Sequence, residues 1–253
     1  MEFLKGTDII SPTDVNSAKW APGVANRTFL QNLVGCKYSI TKTDISVLDQ
    51  NSYELIETFH NIRLFKDKHY LPLGLAYDSV ILASNFAKLP AFQKDIALFK
   101  GMVINDWDSA KFEGYPRVRV FDTIALGTFN YNLYDSLIQN RRKDTLTITS
   151  FSNNLIKGKI NSNRKQILFL AIPYDAGWKI KVNNTKRDIE IADFGLMGIK
   201  LDEGMNEIEL EFEPLYMKES AGFSAFGFLI YGVFLCIALL KKRKSNSNNE
   251  INA

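Results

Sequence analysis

Residues 167 to 182 read ILFLAIPYDAGWKIKV, and this stretch places two different β-strand patterns on either side of a short turn. Residues 167 to 172 are apolar at both odd and even positions, which predicts a central strand covered on both faces. Trp178, Ile180 and Val182 alternate with lysines, which predicts a strand with one buried and one solvent-exposed face. The stretch therefore predicts a β-rich region with a central strand.

The same two-residue alternation recurs on both sides of this stretch, in residues 145 to 149 and 207 to 213. Asn183 and Asn184 separate two alternating runs, and asparagine tolerates the left-handed backbone conformation that a tight hairpin turn requires. Short alternating strands at this spacing predict an antiparallel β-sandwich over residues 144 to 216.

Residues 1 to 143 predict a mixture of helices and strands. Predicted helices cover residues 26 to 33, the segment from Pro90 to Gly101, and residues 132 to 142. Strands are predicted over residues 36 to 40, 53 to 65, 73 to 82 and 117 to 121, with a loop at 105 to 116. The predicted fold class is α+β: a mixed N-terminal region, a β-sandwich and one C-terminal transmembrane helix.

Residues 221 to 240 contain no charged side chain and are apolar on every face. About twenty such residues span the hydrocarbon core of a bilayer as a helix. Basic residues follow at once, namely Lys241, Lys242, Arg243 and Lys244. The sequence therefore predicts a membrane-spanning helix over 221 to 240 and a basic, disordered tail over 241 to 253, with the lipid bilayer as a partner.

The formal net charge is +3, and the four basic residues at 241 to 244, less Glu250, account for all of it. Residues 1 to 240 are therefore formally neutral. A neutral domain lacks the broad basic face that phosphate backbones require, so the composition argues against nucleic-acid binding.

The basic flank predicts the orientation of the helix, because positive residues near a span favour the cytoplasmic side. The tail is then cytoplasmic and the preceding residues are extracytoplasmic. The segment from Met1 to Asp8 lacks the basic and apolar pattern of a signal peptide. Two interpretations remain: a tail-anchored cytoplasmic protein, or, as we favour, the last part of a polytopic membrane protein.

Catalytic motifs are not visible in the sequence, and no cofactor is predicted. Asp106 and Asp108 have the spacing of a divalent-cation site, but three residues make a weak signal, and a polar loop is the better interpretation. His60 and His69 lack metal-site spacing and predict surface or edge-strand positions, so no metal is predicted. Cys36 predicts a buried, inert thiol.

Tyr174, Asp175 and Trp178 form the most distinctive local cluster. Two aromatic rings and a carboxylate can stack on and hydrogen-bond a sugar. A packed corner is the alternative, because Trp178 is in phase with the buried positions of its strand.

Several motifs resemble the YfhO family of bacterial polytopic membrane proteins, in the same order along the chain. They are residues 32 to 38 (NLVGCKY), 71 to 75 (LPLGL), 169 to 182, 195 to 199 (GLMGI), Gly204 and the final apolar helix. One difference is Asn183-Asn184, where the family usually has Asp-Gly, an equivalent turn.

The resemblance implies the C-terminal extracytoplasmic domain and last helix of a protein similar to glycosyltransferases that use lipid-phosphate sugars and decorate envelope polymers such as lipoteichoic acid. It further implies catalytic acidic residues in an earlier extracytoplasmic loop, and partners that include upstream transmembrane helices and an envelope glycan or lipid-linked sugar. The alternative is a non-catalytic, single-span protein that binds a wall glycan through Tyr174, Asp175 and Trp178 or acts as a scaffold.

Overall fold

The computed structural model describes residues 2–11, 24, 27–42, 52–119 and 131–251, with side chains up to residue 240. Residues 1 to 211 form one compact unit, and residues 212 to 253 form a second.

The first unit combines short helices with short strands. The helices are α1 (Glu2–Gly6), α2 (Thr28–Leu33), α3 (Ala83–Phe86), α4 (Ala91–Lys100), a 3-10 helix (Asp106–Phe112) and α5 (Tyr131–Arg142). The strands are β1 (Tyr38–Thr41), β2 (Tyr53–Phe59), β3 (Ile62–Asp67), β4 (Gly74–Tyr77), β5 (Val80–Leu82), β6 (Met102–Ile104), β7 (Thr147–Phe151), β8 (Leu155–Ser162), β9 (Ile167–Pro173), β10 (Trp178–Val182), β11 (Thr185–Arg187), β12 (Glu190–Ala192), β13 (Leu196–Lys200) and β14 (Gly204–Phe212).

Two antiparallel sheets form the sandwich. One has the strand order β11-β10-β14-β8-β7, and the other has the order β12-β13-β9-β4. Apolar side chains from both sheets make one buried core, including Ile160 and Ile208 from the first sheet and Leu168 and Met197 from the second. The α+β fold class with an antiparallel sandwich is therefore confirmed.

Strand β9 lies between two cores because its successive side chains point to opposite faces. Leu168 and Leu170 enter the sandwich core. Ile167 and Phe169 enter a second core that includes side chains of α2, α4 and α5. The prediction of a central strand covered on both faces is confirmed, and the four-stranded sheet is the middle layer of the unit.

The edge strand β4 precedes residue 144, yet it pairs with β9, with Leu75 opposite Phe169. The boundary predicted between residues 143 and 144 thus passes through a sheet. The reason is that β9 has two neighbours, β13 and β4, and only one of them comes from the predicted sandwich segment.

Four local predictions differ from the structure. The strand predicted over 53 to 65 is a hairpin of β2 and β3, because His60 turns the chain with a positive φ of 54°. The strand predicted over 73 to 82 is divided into β4 and β5, which belong to different sheets. The loop predicted over 105 to 116 contains the 3-10 helix. In the strand predicted at 117 to 121, Arg117 makes an isolated bridge to Val80, and residues 120 and 121 lie outside the described residues.

The turn after β10 has the predicted form. Asn183 and Asn184 have φ values of 51° and 62°, as a two-residue hairpin requires. The Asn183 side chain also accepts a hydrogen bond from the backbone N–H of Glu207 at 2.9 Å. This contact fixes the tip of the hairpin to strand β14.

The second unit consists mainly of helix α6 (Met217–Ile251). Within its segment Met217–Leu240, the most apolar window of 18 residues has a mean hydropathy of 2.4 and is not buried against protein. This helix is long and apolar enough to cross a membrane. The helix continues to Ile251 in place of the disorder predicted from residue 241, since no proline or glycine ends it.

Candidate functional site

A cleft of about 680 Å³ lies beside strands β11 and β12, which follow each other along the chain. Strand β11 is at the edge of one sandwich sheet, and β12 is at the edge of the other. We call it the sheet-edge cleft. Its wall consists of aromatic, apolar and charged side chains: Lys111, Tyr174, Trp178, Lys179, Ile180, Lys186, Arg187, Asp188, Ile189, Glu190 and Lys200. Two of the three residues predicted as a glycan contact, Tyr174 and Trp178, are therefore brought together on one cleft.

The turn between β9 and β10 positions these aromatic residues. The backbone N–H of Tyr174 donates to the carbonyl of Gly195 at 2.8 Å, which fixes the start of the turn to the residue that precedes strand β13. The Asp175 carboxylate accepts the Gly177 N–H at 2.7 Å, and the Trp178 N–H donates to the Asp175 carbonyl at 3.1 Å. Asp175 thus shapes the turn and does not line the cleft.

The two rings differ in exposure. Tyr174 is 40% exposed, whereas Trp178 is partly buried and packs against the sandwich core. Trp178 therefore has two positions at once: its side chain packs against the sandwich core, and the residue also lines the cleft. A ring held in this way is a rigid surface for stacking.

Glu190 pairs with two of the lysines that line the cleft. Only 11% of its side chain is exposed, and its two oxygens face different lysines. The ammonium group of Lys111 lies 3.0 Å from Oε2, and that of Lys200 lies 3.6 Å from Oε1. Asp108, and then Glu190, raise the pKa of Lys111, so this lysine stays charged.

Lys186 and Arg187 lie on strand β11, directly after the Asn183-Asn184 turn. Arg187 makes an exposed ion pair with Asp202 at 2.6 Å. Within the described part of the chain, Lys186 makes no ion pair and no side-chain hydrogen bond. These two side chains are therefore available to a ligand, since an exposed ion pair is readily exchanged.

The charged residues of the cleft were not predicted from the sequence. The run Thr185-Lys186-Arg187 after a turn is a local signal that could have been noticed. Lys111, Glu190 and Lys200 come from three separate elements, and no spacing in the sequence connects them. The cleft has the chemistry of a binding site, with stacking surfaces and cationic donors; none of its lining residues is a histidine, cysteine or serine.

Asp106 and Asp108, the weak candidate for a metal site, each make a separate contact with another side chain. The Asp106 carboxylate accepts hydrogen bonds from the hydroxyl and the backbone N–H of Ser84, at 2.6 and 3.0 Å. Asp108 pairs with Lys111 at 2.9 Å. Among the described residues, no group of three or more histidine, cysteine or acidic side chains could hold a metal ion.

A buried polar cluster joins α2, the end of β3 and α5. The Asn32 amide donates to the Asp67 carboxylate at 2.6 Å, and the Tyr134 hydroxyl donates to Asn32. Asp67 also accepts the backbone N–H of His69 at 2.7 Å, and burial raises the pKa of Asp67. His69 is 6% exposed, so its predicted surface position is wrong; its ring packs against the rings of Tyr131 and Tyr134. This cluster serves packing within the second core.

The two cysteines are both free and both exposed, Cys36 in the first unit and Cys236 in helix α6. The predicted burial of Cys36 is wrong, because it lies in the short connection between α2 and β1.

A sandwich backed by a helical layer, on one chain with a helix able to cross a membrane, defines a membrane-anchored α+β protein. The sequence profile described as bacterial membrane protein YfhO matches residues 14–121 and 116–224. These segments cover most of the chain, so the chain belongs to the YfhO family, and the resemblance inferred from its motifs is confirmed.

One curated relative is the uncharacterized protein YfhO of Bacillus subtilis strain 168, which is 36% identical over 78 residues. The matched stretch is 31% of this chain and 8% of that protein. This chain therefore corresponds to a small part of the length of its relative.

Proposed function

We propose that residues 2 to 211 are an extracytoplasmic domain of a YfhO-like polytopic membrane protein, and that the sheet-edge cleft holds the acceptor polymer during glycosylation. The full protein is then a glycosyltransferase that uses lipid-phosphate sugars and decorates envelope polymers such as lipoteichoic acid. The observation that carries this proposal is the cleft of about 680 Å³ with Tyr174 and Trp178 on its wall. Its volume is within the range of ligand sites, and aromatic faces stack on sugar rings.

In this proposal the domain supplies binding, and the catalytic acidic residues belong to an earlier extracytoplasmic loop of the full protein. The small share of the Bacillus subtilis relative that this chain matches, 8%, leaves room for such a loop and for further membrane helices. Those helices are proposed partners of α6.

The binding test compares the full chain with Tyr174→Ser and Trp178→Leu, each reconstituted in nanodiscs. Tyr174 is 40% exposed, so its loss leaves the fold intact; leucine at 178 keeps apolar packing but removes the aromatic face. We expect each variant to bind purified lipoteichoic acid about tenfold more weakly, which corresponds to the loss of one stacking contact in a site.

Phe151→Ser is the matched control, because Phe151 is 68% exposed and lies on strand β7, outside the cleft. Its binding should equal that of the unchanged chain. Equal binding by all four proteins would exclude the cleft as the acceptor site. If both cleft variants bind the polymer normally, and cells that carry them glycosylate the polymer normally, a scaffold role would be favoured instead.

The proposed orientation has a separate test, since Cys36 is a naturally exposed thiol. In a Cys236→Ser background, a membrane-impermeant maleimide added to intact cells should label Cys36, and also Asn184→Cys at the exposed hairpin turn. A cysteine introduced at Ser247, beyond the span, should react only after the cells are opened. Labelling of residue 247 alone in intact cells would reverse the proposed orientation.

A further inference from the structure

The sheet-edge cleft carries a surplus of positive charge, although residues 1 to 240 are formally neutral. Of its seven charged lining residues, five are basic and two are acidic: Lys111, Lys179, Lys186, Arg187, Lys200, Asp188 and Glu190. A concave surface lined mainly by one sign of charge focuses the potential and attracts ligands of the opposite sign.

The basic residues of the cleft differ in their ion pairs. Glu190, whose side chain is only 11% exposed, holds Lys111 and Lys200 through its two oxygens. Lys186 and Arg187 are exposed on β11, which is an edge strand among the described residues. Lys111 and Lys200 are thus held by a nearly buried carboxylate, while Lys186 and Arg187 can reorient towards a ligand.

We propose that the sheet-edge cleft binds phosphate groups of its ligand, with Lys186 and Arg187 as the direct contacts and Lys111 and Lys200 as further cations held by Glu190. This inference rests on the proposed function and names the chemistry of the acceptor: a phosphodiester-linked polymer with sugars that stack on Tyr174 and Trp178. Arginine presents paired N–H donors that match two oxygens of one phosphate, and a lysine adds a point charge.

The Arg187–Asp202 ion pair does not oppose this assignment. Both side chains are well exposed, at 38% and 46%. An exposed ion pair contributes little to stability, so a phosphate can replace the carboxylate at low cost. Asp202 itself is outside the lining of the cleft.

The test uses the full chain in nanodiscs of zwitterionic lipid and measures binding of poly(glycerol phosphate) oligomers that carry no sugar. We expect the double variant Lys186→Gln, Arg187→Gln to bind about tenfold more weakly. Binding by the unchanged chain should fall steeply between about 50 mM and about 300 mM salt, because exposed charges are screened. The double variant Lys143→Gln, Lys159→Gln removes two exposed lysines outside the cleft and should bind as the unchanged chain does.

Two further probes separate the sources of phosphate and separate this inference from the proposed function. One probe is a short-chain prenyl-phosphate sugar. If its binding depends on Lys186 and Arg187 and the polymer does not bind, the phosphate belongs to a lipid-linked sugar. Binding of a neutral oligosaccharide that needs Tyr174, with no binding of either phosphate compound, would overturn the inference and leave the proposed function standing. Unchanged polymer affinity in the cleft double variant, with folding verified by urea unfolding, would also overturn the inference.

Discussion

Asp193→Asn is expected to abolish a fall in stability that the unchanged protein shows as pH rises from about 4 to about 7. Asp193 is fully buried, and burial raises the pKa of its carboxyl group to about 7 from 3.8. Its Oδ1 accepts the backbone N–H of Val103 at 2.6 Å, while Oδ2 is buried with no hydrogen-bond partner among the described residues. The folded state therefore favours the protonated, neutral side chain.

The sign of the effect follows from proton binding. Below the unfolded-state pKa of 3.8, both states are protonated and the carboxyl group costs nothing extra. Between that value and about 7, the folded state keeps a proton that the unfolded state has lost, so the free energy of unfolding falls as pH rises. The total loss is roughly 4 kcal/mol at neutral and higher pH.

Asparagine at position 193 retains the acceptor oxygen for Val103 and cannot ionise. It also tolerates the positive φ of 42° at this residue. Urea unfolding of the full chain in detergent micelles, followed by tryptophan fluorescence across this pH range, measures the difference. Asp188→Asn, an exposed substitution, is the control and should follow the unchanged protein. Parallel pH profiles for the unchanged chain and Asp193→Asn would contradict the prediction.

Phe169→Ala is expected to lower the free energy of unfolding by about 3 to 5 kcal/mol, because it removes a large buried ring and leaves a cavity. Phe169 is fully buried, and its ring centroid lies 6.0 Å from that of Tyr77 in an edge-to-face arrangement. Leu168→Ala acts on the sandwich core, on the opposite face of the same strand, and should cost about 2 to 5 kcal/mol.

Both substitutions should shift the same unfolding transition, since strand β9 belongs to both cores and residues 1 to 211 form one compact unit. Phe151→Ala, at a side chain that is 68% exposed, should change stability by less than about 0.5 kcal/mol. Hydrogen exchange of backbone amides tests the coupling. If Phe169→Ala accelerates exchange in α2, α4 and α5 but leaves β8 and β14 protected, the two cores unfold independently.

Features that depend on residues close together in the sequence could be predicted from it. The alternation at 178 to 182, the doubly apolar run before it and the Asn183-Asn184 turn each specify local backbone geometry and burial. Two of the errors concern residues whose state is set by distant partners. His69 is buried because α5 packs over it, and β4 joins the sandwich because β9 has a free edge for it.

The sequence by itself determined the α+β class, the membrane helix and the aromatic pair at 174 and 178, because each depends on the periodicity or composition of one short segment. Only the tertiary structure decided what surrounds that pair. Glu190 and Lys200 lie on the neighbouring strands β12 and β13 of one sheet, and Lys111 reaches Glu190 from the 3-10 helix, which comes much earlier in the chain. A chain that is neutral over its first 240 residues thereby gains a cationic cleft, because packing selects which charges are neighbours and the total charge does not.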